Sequence, residues 1–142
     1  MRLLTVKEIE YVAHALAAKL LSYNEPIPGF STRYPEVLES CLVTPFQVYA
    51  GKDVYPSFLQ KAAMLFYLLI KNHPFKNGNK RIAVMTLLYF LSENNKWIKV
   101  DTHSLYNFAV WVAESPAGYK DHMVELIVSF LKKHVVDKTS KR

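Results

Sequence analysis

The sequence predicts an all-α helical bundle that carries one small β-hairpin. Two strongly apolar segments, residues 62–70 and 82–91, lie near the middle of the chain and are long enough for helices. A helix that is apolar on every face belongs in the centre of a domain. Residues 43–56, in contrast, are rich in residues that favour β-strands and contain a central glycine. We therefore expect two central helices and a hairpin that projects from them.

The composition fits a single globular domain. The chain has 142 residues, of which 51% are apolar and 21% are charged, and this length can bury one sizeable core. Its single cysteine, Cys41, excludes an intrachain disulfide and suits a reducing compartment. Acidic residues near the N-terminus disfavour a secretion signal, and no apolar run reaches the roughly 18 residues of a membrane helix. We expect a cytoplasmic protein that does not enter a membrane.

Positive charge is concentrated at the C-terminus. The net charge is +6, and five of the eighteen Lys and Arg residues fall within residues 132–142. This distribution is typical of a solvated helix end and tail, and it disfavours a specific nucleic-acid site. A general attraction to anionic partners such as nucleotides remains. We expect one domain over residues 1–136 and a basic tail over residues 137–142.

The first predicted element is a helix over residues 6–21, whose apolar residues form one stripe. Thr5, with Glu8 three residues later, predicts a capping box at the start of this helix. Residues 24–35 contain three prolines and a glycine, which indicates a loop.

A short hairpin is predicted next, with Gly51 in its turn. A hairpin of this length is marginal alone and needs support from the rest of the domain. Its predicted arms contain Phe46, Val48, Val54 and Tyr55.

The central helices are predicted over residues 57–72 and 79–94, and two further helices follow them. Asp101 is a candidate N-cap for a helix that runs to Glu114. Asp121 is a candidate N-cap for the last helix.

The two central helices are joined by a polar segment within the sequence KNHPFKNGNKRIAV, residues 71–84. Pro74 predicts an extended conformation for His73, because the proline ring disfavours helical backbone in the preceding residue. Phe75 is expected to anchor the loop in the core and to hold His73 and Lys76 outward. Gly78 allows a positive φ or the close approach of a ligand to the backbone.

The charges at the start of the second central helix indicate an anion site. A helix N-terminus attracts anions through its free amides and its dipole, and Lys80 and Arg81 add full positive charges. His73 is a candidate base, because histidine is the side chain that ordinarily exchanges a proton near neutral pH. A plain connector is the alternative, with Asn77 and Gly78 as its turn. A connector has no need of a histidine, so a phosphate or nucleotide site is favoured.

The segment HPFKNGNKR closely resembles the core motif of the Fic/Doc (Fido) family, His-x-Phe-x-acid-Gly/Ala-Asn-(Gly or Lys)-Arg. The helix–loop–helix context and the preceding hairpin, which corresponds to the family's flap, resemble that family over most of the chain. The resemblance implies a Fic/Doc-like bundle and an enzyme that transfers part of a nucleoside triphosphate to a hydroxyl of a target protein. It rests on His73, Phe75, Gly78, Asn79, Lys80 and Arg81.

The resemblance also implies a role for each motif residue. His73 would be the general base for a Ser, Thr or Tyr hydroxyl, and Arg81 would neutralise charge on the phosphates in the transition state. ATP or another nucleoside triphosphate would be cradled by Lys76, Gly78, Asn79 and Lys80. The flap would align the target as an added strand. Its docking residues would be Val48, Tyr49, Val54 and Tyr55.

Three positions refine what the resemblance implies. Lys80 replaces the glycine of AMP-transferring members, and Val84 replaces their second arginine, so the motif resembles the death-on-curing (Doc) branch and favours transfer of the terminal phosphate. AMP transfer is the alternative. Asn77 replaces the acidic residue that usually binds Mg²⁺, so Mg²⁺ is expected to bind more weakly. An active enzyme is favoured, and a Fido-fold binding module without turnover is the alternative.

The resemblance to the Doc branch also implies partners. We expect the chain to lack the Ser/Thr-x-x-x-Glu signature of the family's autoinhibitory helix, so restraint is expected from a separate antitoxin protein. The target is expected to be a protein, with translation factors and GTPases as the leading classes.

Overall fold

The chain begins with a helix, α1, whose first turn is fixed by side chains. In the computed structural model, which describes residues 2–17 and 27–138, α1 spans Val6–Tyr11 and continues as a π-helix over Val12–Ala17. The Glu8 amide donates to the Thr5 hydroxyl, and the Thr5 amide donates to the Glu8 carboxylate. The predicted capping box is therefore confirmed. The predicted continuation of this helix to residue 21 lies outside the described residues.

A second helix, α2, spans Pro35–Val43 and was not predicted. The prolines before it indicate a loop, but Pro35 occupies the first turn, where a missing N–H removes no helical hydrogen bond. The helix buries Leu38, Cys41 and Leu42, which recur at helical spacing. That spacing was the signal in the sequence from which this helix could have been predicted.

The predicted hairpin is confirmed, although it is shorter than its predicted arms. Strands β1, Val48–Tyr49, and β2, Lys52–Asp53, pair antiparallel. The turn residues Ala50 and Gly51 both have positive φ, 52° and 78°, which suits the tight turn that matches the twist of paired strands.

The outer parts of the predicted arms lie outside these strands. Phe46 belongs to a short 3₁₀ turn, Thr44–Phe46, because Pro45 lacks the N–H that a ladder requires. Val54 and Tyr55 follow β2, and the Val54 amide still donates to the Gln47 carbonyl at 2.9 Å.

The two central helices are as predicted. Helix α3 spans Phe58–Lys71 and α4 spans Asn79–Glu93, and they pack against each other along the core. A capping box between Ser57 and Gln60 starts α3. All residues from 61 to 70 are buried, which explains why this helix is apolar on almost every face. The all-α class with a small hairpin is therefore correct.

The remaining elements surround this pair. Asp101 caps α5, Thr102–Ala113, as predicted, through a hydrogen bond from the Ser104 amide at 2.8 Å. The prediction for Asp121 is wrong. Helix α6 spans Lys120–His134 and its N-cap is Tyr119, two residues before Asp121, because a 3₁₀ turn, Ala117–Tyr119, leads directly into it. Helix α5 packs on α4, and α6 packs on α3.

A second two-stranded sheet was not predicted. Strand β3, Lys96–Ile98, pairs antiparallel with β4, Val135–Asp137. The tail predicted to start at residue 137 is corrected by this pairing, because Asp137 lies opposite Lys96 and the Lys138 amide donates to the Asn95 carbonyl. None of the helices in the described ranges is long and apolar enough to cross a membrane.

Candidate active site

The motif loop, residues 72–78, joins the C-terminus of α3 to the N-terminus of α4. Asn72 is the C-cap of α3, and its amide donates to the Leu68 carbonyl at 2.9 Å. His73 follows with a φ of 51°, so it has the left-handed conformation that commonly ends a helix. The predicted extended conformation is therefore wrong, because the helix ending prevails over the preference of a residue before proline.

The left-handed backbone turns His73 away from the core. His73 is exposed, whereas the next two residues, Pro74 and Phe75, are buried. Left-handed backbone is uncommon outside glycine, although histidine is among the residues that adopt it most readily. The strained residue and the candidate base are thus the same residue, a combination that is frequent at active sites.

The loop is closed by the side chain of Asn79. Its Oδ1 accepts a hydrogen bond from the Phe75 amide at 3.0 Å, and its Nδ2 donates to the Phe75 carbonyl at 2.8 Å. The Phe75 ring is buried in the core, as predicted. Asn79 was predicted to contribute its backbone amide to phosphate binding, and this side-chain role was missed.

The segment before α2 supports the motif loop from outside. The Tyr34 amide donates to the Pro74 carbonyl at 2.9 Å. The rings of Phe30 and Phe75 lie 5.9 Å apart, and the Arg33 guanidinium lies 4.3 Å above the Phe30 ring. Sequence reasoning missed the contacts of Tyr34 with Pro74 and of Phe30 with Phe75 because each joins positions about forty or more residues apart.

The start of α4 has the character of an anion site. Its N-cap is Gly78, with a φ of 75°, and no side chain caps the first turn. The amides of an uncapped helix start can bind a phosphate, and the helix dipole favours a negative charge there. Lys80, half-buried in the first turn, and Lys76, exposed in the motif loop, add positive charge close to it in the chain.

Arg81 points inward in this structure. It is 3% exposed, and its Nη2 donates to the Ala17 carbonyl at 2.7 Å, which links the first turn of α4 to the end of the π-helix. This contact was not predicted, because it joins residues 64 positions apart.

The loop contains little that would hold a metal ion alone. Asn77 is half-buried and offers one neutral side-chain oxygen. Within residues 2–17 and 27–138, no group of three or more His, Cys, Asp and Glu side chains could hold a metal ion. These residues could not bind a magnesium ion by themselves. They fit an ion whose other ligands would be the oxygens of a bound nucleotide.

The β1–β2 hairpin presents apolar side chains to solvent. Val48 is 58% exposed and Tyr49 79% exposed, while Val54 is exposed and Tyr55 half-buried. The buried Lys61 of α3 holds the base of the hairpin through the Tyr55 carbonyl and the Asp53 carboxylate. Sequence reasoning missed Lys61, which stands as a lone lysine at the start of an apolar run.

The expectation that the chain lacks a Ser/Thr-x-x-x-Glu spacing is wrong, because Thr32 and Glu36 have this spacing. Thr32 ends a 3₁₀ turn and donates its hydroxyl to the Gly29 carbonyl at 2.6 Å, whereas Glu36 lies in α2. The two residues do not share a helix, so this spacing differs in structure from the autoinhibitory signature.

The comparisons with known proteins agree with this arrangement. The model of the Fic/DOC family matches residues 3–91, a range that contains the hairpin, all of α3, the motif loop and most of α4. Among curated proteins and among solved structures, none matches the chain. Because the family model covers more than half of the chain and the whole motif loop, the chain belongs to the Fic/DOC family.

Proposed function

We propose that the protein is a phosphotransferase that moves the terminal phosphate of a nucleoside triphosphate to a hydroxyl side chain of a target protein. The observation that carries the proposal is the pairing of an exposed, left-handed His73 with the uncapped start of α4 only six residues later. One group can accept a proton and the other can bind phosphate. Membership of the Fic/DOC family supports a transferase of this kind.

His73 acts as the general base. It takes the proton of the target hydroxyl, and the hydroxyl oxygen then forms a bond to the γ-phosphorus. The bond from that phosphorus to the oxygen bridging the β- and γ-phosphates breaks, and a nucleoside diphosphate leaves. The imidazolium returns its proton to solvent, because His73 is exposed.

The start of α4 binds the phosphates. The amides of Gly78, Asn79 and Lys80 and the lysine charges offset the negative charge of the triphosphate. Arg81 neutralises the charge that develops in the transition state. Its Nη2 donates to the Ala17 carbonyl, which occupies one of the five N–H donors of the guanidinium. Mg²⁺, when bound with the nucleotide, supplies further positive charge, with Asn77 as its neutral ligand.

The hairpin docks the target. Its two paired strands offer outer edges to which a strand of the target can be added, and the exposed Val48 and Tyr49 offer apolar contacts to the target's side chains. Docking by main-chain hydrogen bonds places a hydroxyl side chain of the target toward His73. We also propose that a separate antitoxin protein restrains the enzyme, since its motif is similar to that of the Doc branch.

Two alternatives differ in their support. AMP transfer uses the same base and phosphate site with the nucleotide reversed, and Lys80 and Val84 disfavour it. A binding module without turnover is favoured by the neutral Asn77 and by the inward orientation of Arg81.

The test is label transfer from ATP in cell lysate. Wild-type protein is incubated with ATP labelled at the γ-phosphate and, separately, at the α-phosphate, with Mg²⁺ present. We expect label on a lysate protein from γ-labelled ATP only. Label from α-labelled ATP would indicate AMP transfer, and absence of label from both would indicate the binding module.

A pair of histidine variants controls this test. His73→Ala is expected to abolish transfer, whereas His122→Ala, which removes an exposed histidine of α6, is expected to retain it. Transfer by His73→Ala at the wild-type rate would overturn the assignment of the base. Expression of the wild type, but not of His73→Ala, is expected to arrest growth if the protein is a toxin.

A further inference from the structure

Lys61 occupies an unusual position for a lysine. It lies in the first turns of α3 and is 3% exposed, the only lysine among the buried residues of the described ranges. Its Nζ donates to the Tyr55 carbonyl and to Asp53 Oδ2, the latter at 3.2 Å. The same Nζ lies 5.4 Å above the ring of Phe46.

These three partners lie on both sides of the hairpin. Phe46 precedes β1, Asp53 ends β2, and Tyr55 follows β2. A single buried ammonium group therefore joins both ends of the hairpin to the central helix. The two strands share only two residue pairs, which are too few to hold a hairpin in one place without such support.

The chemistry of this site favours a role in positioning over a role in stability. Burial of an ammonium group costs free energy that its partners must offset, so a buried lysine with such partners is weak evidence of a net gain in stability. A lysine at this position specifies where its partners lie, because each of its hydrogen bonds has a direction. Asp53 is 48% exposed, so its carboxylate is held at the surface by this contact.

We propose that Lys61 is a positioning residue that fixes the hairpin on α3 and thereby sets the place where the target segment docks. This inference rests on the proposed function for its effect on catalysis, but its structural part is independent of any activity. The hydrogen bonds and the cation–π contact of Lys61 are made to Tyr55, Asp53 and Phe46, none of which belongs to the motif loop or to the start of α4. We therefore expect nucleotide binding not to depend on Lys61.

The structural part is tested by hydrogen–deuterium exchange of Lys61→Met, which keeps the apolar length of the side chain and removes its charge. We expect exchange about tenfold faster than wild type at the hairpin amides, with the amides of the motif loop and α4 unchanged. Asp53→Asn leaves the bond to the Tyr55 carbonyl in place, so we expect a smaller rise, about threefold. Lys138→Met is the matched control, because it removes a lysine that donates to Ser92 Oγ and leaves the hairpin unaltered.

The catalytic part is tested by titration of lysate against a fixed amount of enzyme with γ-labelled ATP. Lys61→Met is expected to need about tenfold more lysate for half-maximal labelling, with the maximal rate and the affinity for a fluorescent ATP analogue unchanged. For Asp53→Asn, the amount of lysate needed for half-maximal labelling is expected to lie between the amounts needed for Lys61→Met and for the wild type.

Two results would overturn the inference. One is hairpin exchange in Lys61→Met equal to wild type, and the other is faster exchange spread over the whole chain, which would mean a general loss of stability. If Lys61→Met does not fold, equal exchange in Asp53→Asn and wild type would overturn it as well. Absence of labelling by the wild type would contradict the proposed function only, since the exchange measurement does not use activity.

Discussion

The side chain of Asn79 pairs with both backbone groups of Phe75, in the way that a neighbouring strand would. Two hydrogen bonds, of 3.0 and 2.8 Å, join one side-chain amide to the N–H and C=O of one residue. A carboxamide offers a donor and an acceptor side by side, which few other side chains do. The loop that bears His73 is thus closed by the first residue of the helix proposed to bind phosphate. The position of His73, the proposed base, is therefore linked through Asn79 to the start of α4, the proposed phosphate site.

This coupling predicts that Asn79 contributes to both stability and nucleotide binding. Asn79→Ala leaves the buried N–H and C=O of Phe75 without these partners, so we expect a loss of about 2 kcal/mol in the free energy of unfolding. We also expect at least about tenfold weaker binding of a fluorescent ATP analogue, because the start of α4 is no longer held. Denaturant unfolding and fluorescence titration measure the two effects.

Asn94→Ala is the matched control for Asn79→Ala. Asn94 is the C-cap of the same helix, and its Nδ2 donates to the Phe90 carbonyl at 2.8 Å. We expect it to lower stability by about 1 kcal/mol without weakening nucleotide binding. Equal nucleotide affinity in both variants would contradict the coupling between the loop and the phosphate site.

The role of Asn79 also separates what can be predicted from the sequence from what cannot. The burial of Phe75 follows from its apolar character between polar neighbours, and the central position of α3 and α4 follows from their continuous apolar runs. The partner of the Asn79 side chain depends instead on how the loop closes in three dimensions. The sequence pattern identifies Asn79 as important and says nothing about which of its atoms act.

Contacts between distant positions were missed for the same reason. Strand β4 pairs with β3 across about forty residues, and a run of two valines before a basic segment does not identify that partner. The bond from Arg81 to the Ala17 carbonyl spans 64 positions. The backbone conformation predicted for His73 was wrong for a local reason. The extended conformation favoured before a proline competed with the left-handed conformation that ends a helix, and the latter prevailed.

Because His73 has a left-handed backbone, we expect its replacement by glycine to affect stability and activity in opposite directions. A residue with a Cβ at a φ of 51° is strained, and glycine removes this strain. We expect His73→Gly to be about 1 kcal/mol more stable than His73→Ala, although both abolish label transfer. Thermal or denaturant unfolding of the two variants measures the difference. A less stable His73→Gly would mean that the left-handed conformation is not strained.

Asn77 is expected to limit the use of Mg²⁺. An aspartate at this half-buried position would add a negative charge next to an ion held by the nucleotide. We expect Asn77→Asp to lower the Mg²⁺ concentration needed for half-maximal label transfer by about tenfold. Asn77→Ala, which has no oxygen ligand, is expected to raise it. An equal Mg²⁺ requirement in all three proteins would show that residue 77 does not contact the ion.

Cys41 is expected to report on unfolding. It is buried on α2, and burial raises the pKa of its thiol to about 12, so almost no reactive thiolate forms near neutral pH. We expect no reaction with a thiol reagent at pH 8 in native protein and complete reaction in denaturant. Asn79→Ala should react faster than wild type, because it unfolds more often. Rapid labelling of the native wild type would show that α2 opens independently of the rest of the chain.

The charge network at Glu8 predicts a dependence of stability on acid pH. The Glu8 carboxylate accepts hydrogen bonds from Arg2, from the Thr5 amide at 2.8 Å and from the Tyr89 hydroxyl at 2.8 Å. Together, with the bonds from Arg2 foremost, these interactions lower the pKa of Glu8 from 4.5 to about 2. The bond from Tyr89 also joins the start of α1 to α4, the helix whose N-terminus is proposed to bind phosphate.

The sign of the effect follows from this lowered pKa. The unfolded chain binds a proton at Glu8 more readily than the folded protein does, so the stabilisation is complete above about pH 4.5 and is lost as the pH falls toward 2. Glu8→Gln should therefore lower the free energy of unfolding by about 1 kcal/mol at pH 7, a value that allows for partial screening by solvent. At pH 2.5 the difference from wild type should largely vanish. Glu10→Gln, an exposed residue of the same helix, should resemble wild type at both pH values. A Glu8→Gln deficit that is the same at pH 7 and pH 2.5 would mean that the charge of Glu8 does not hold α1 on α4.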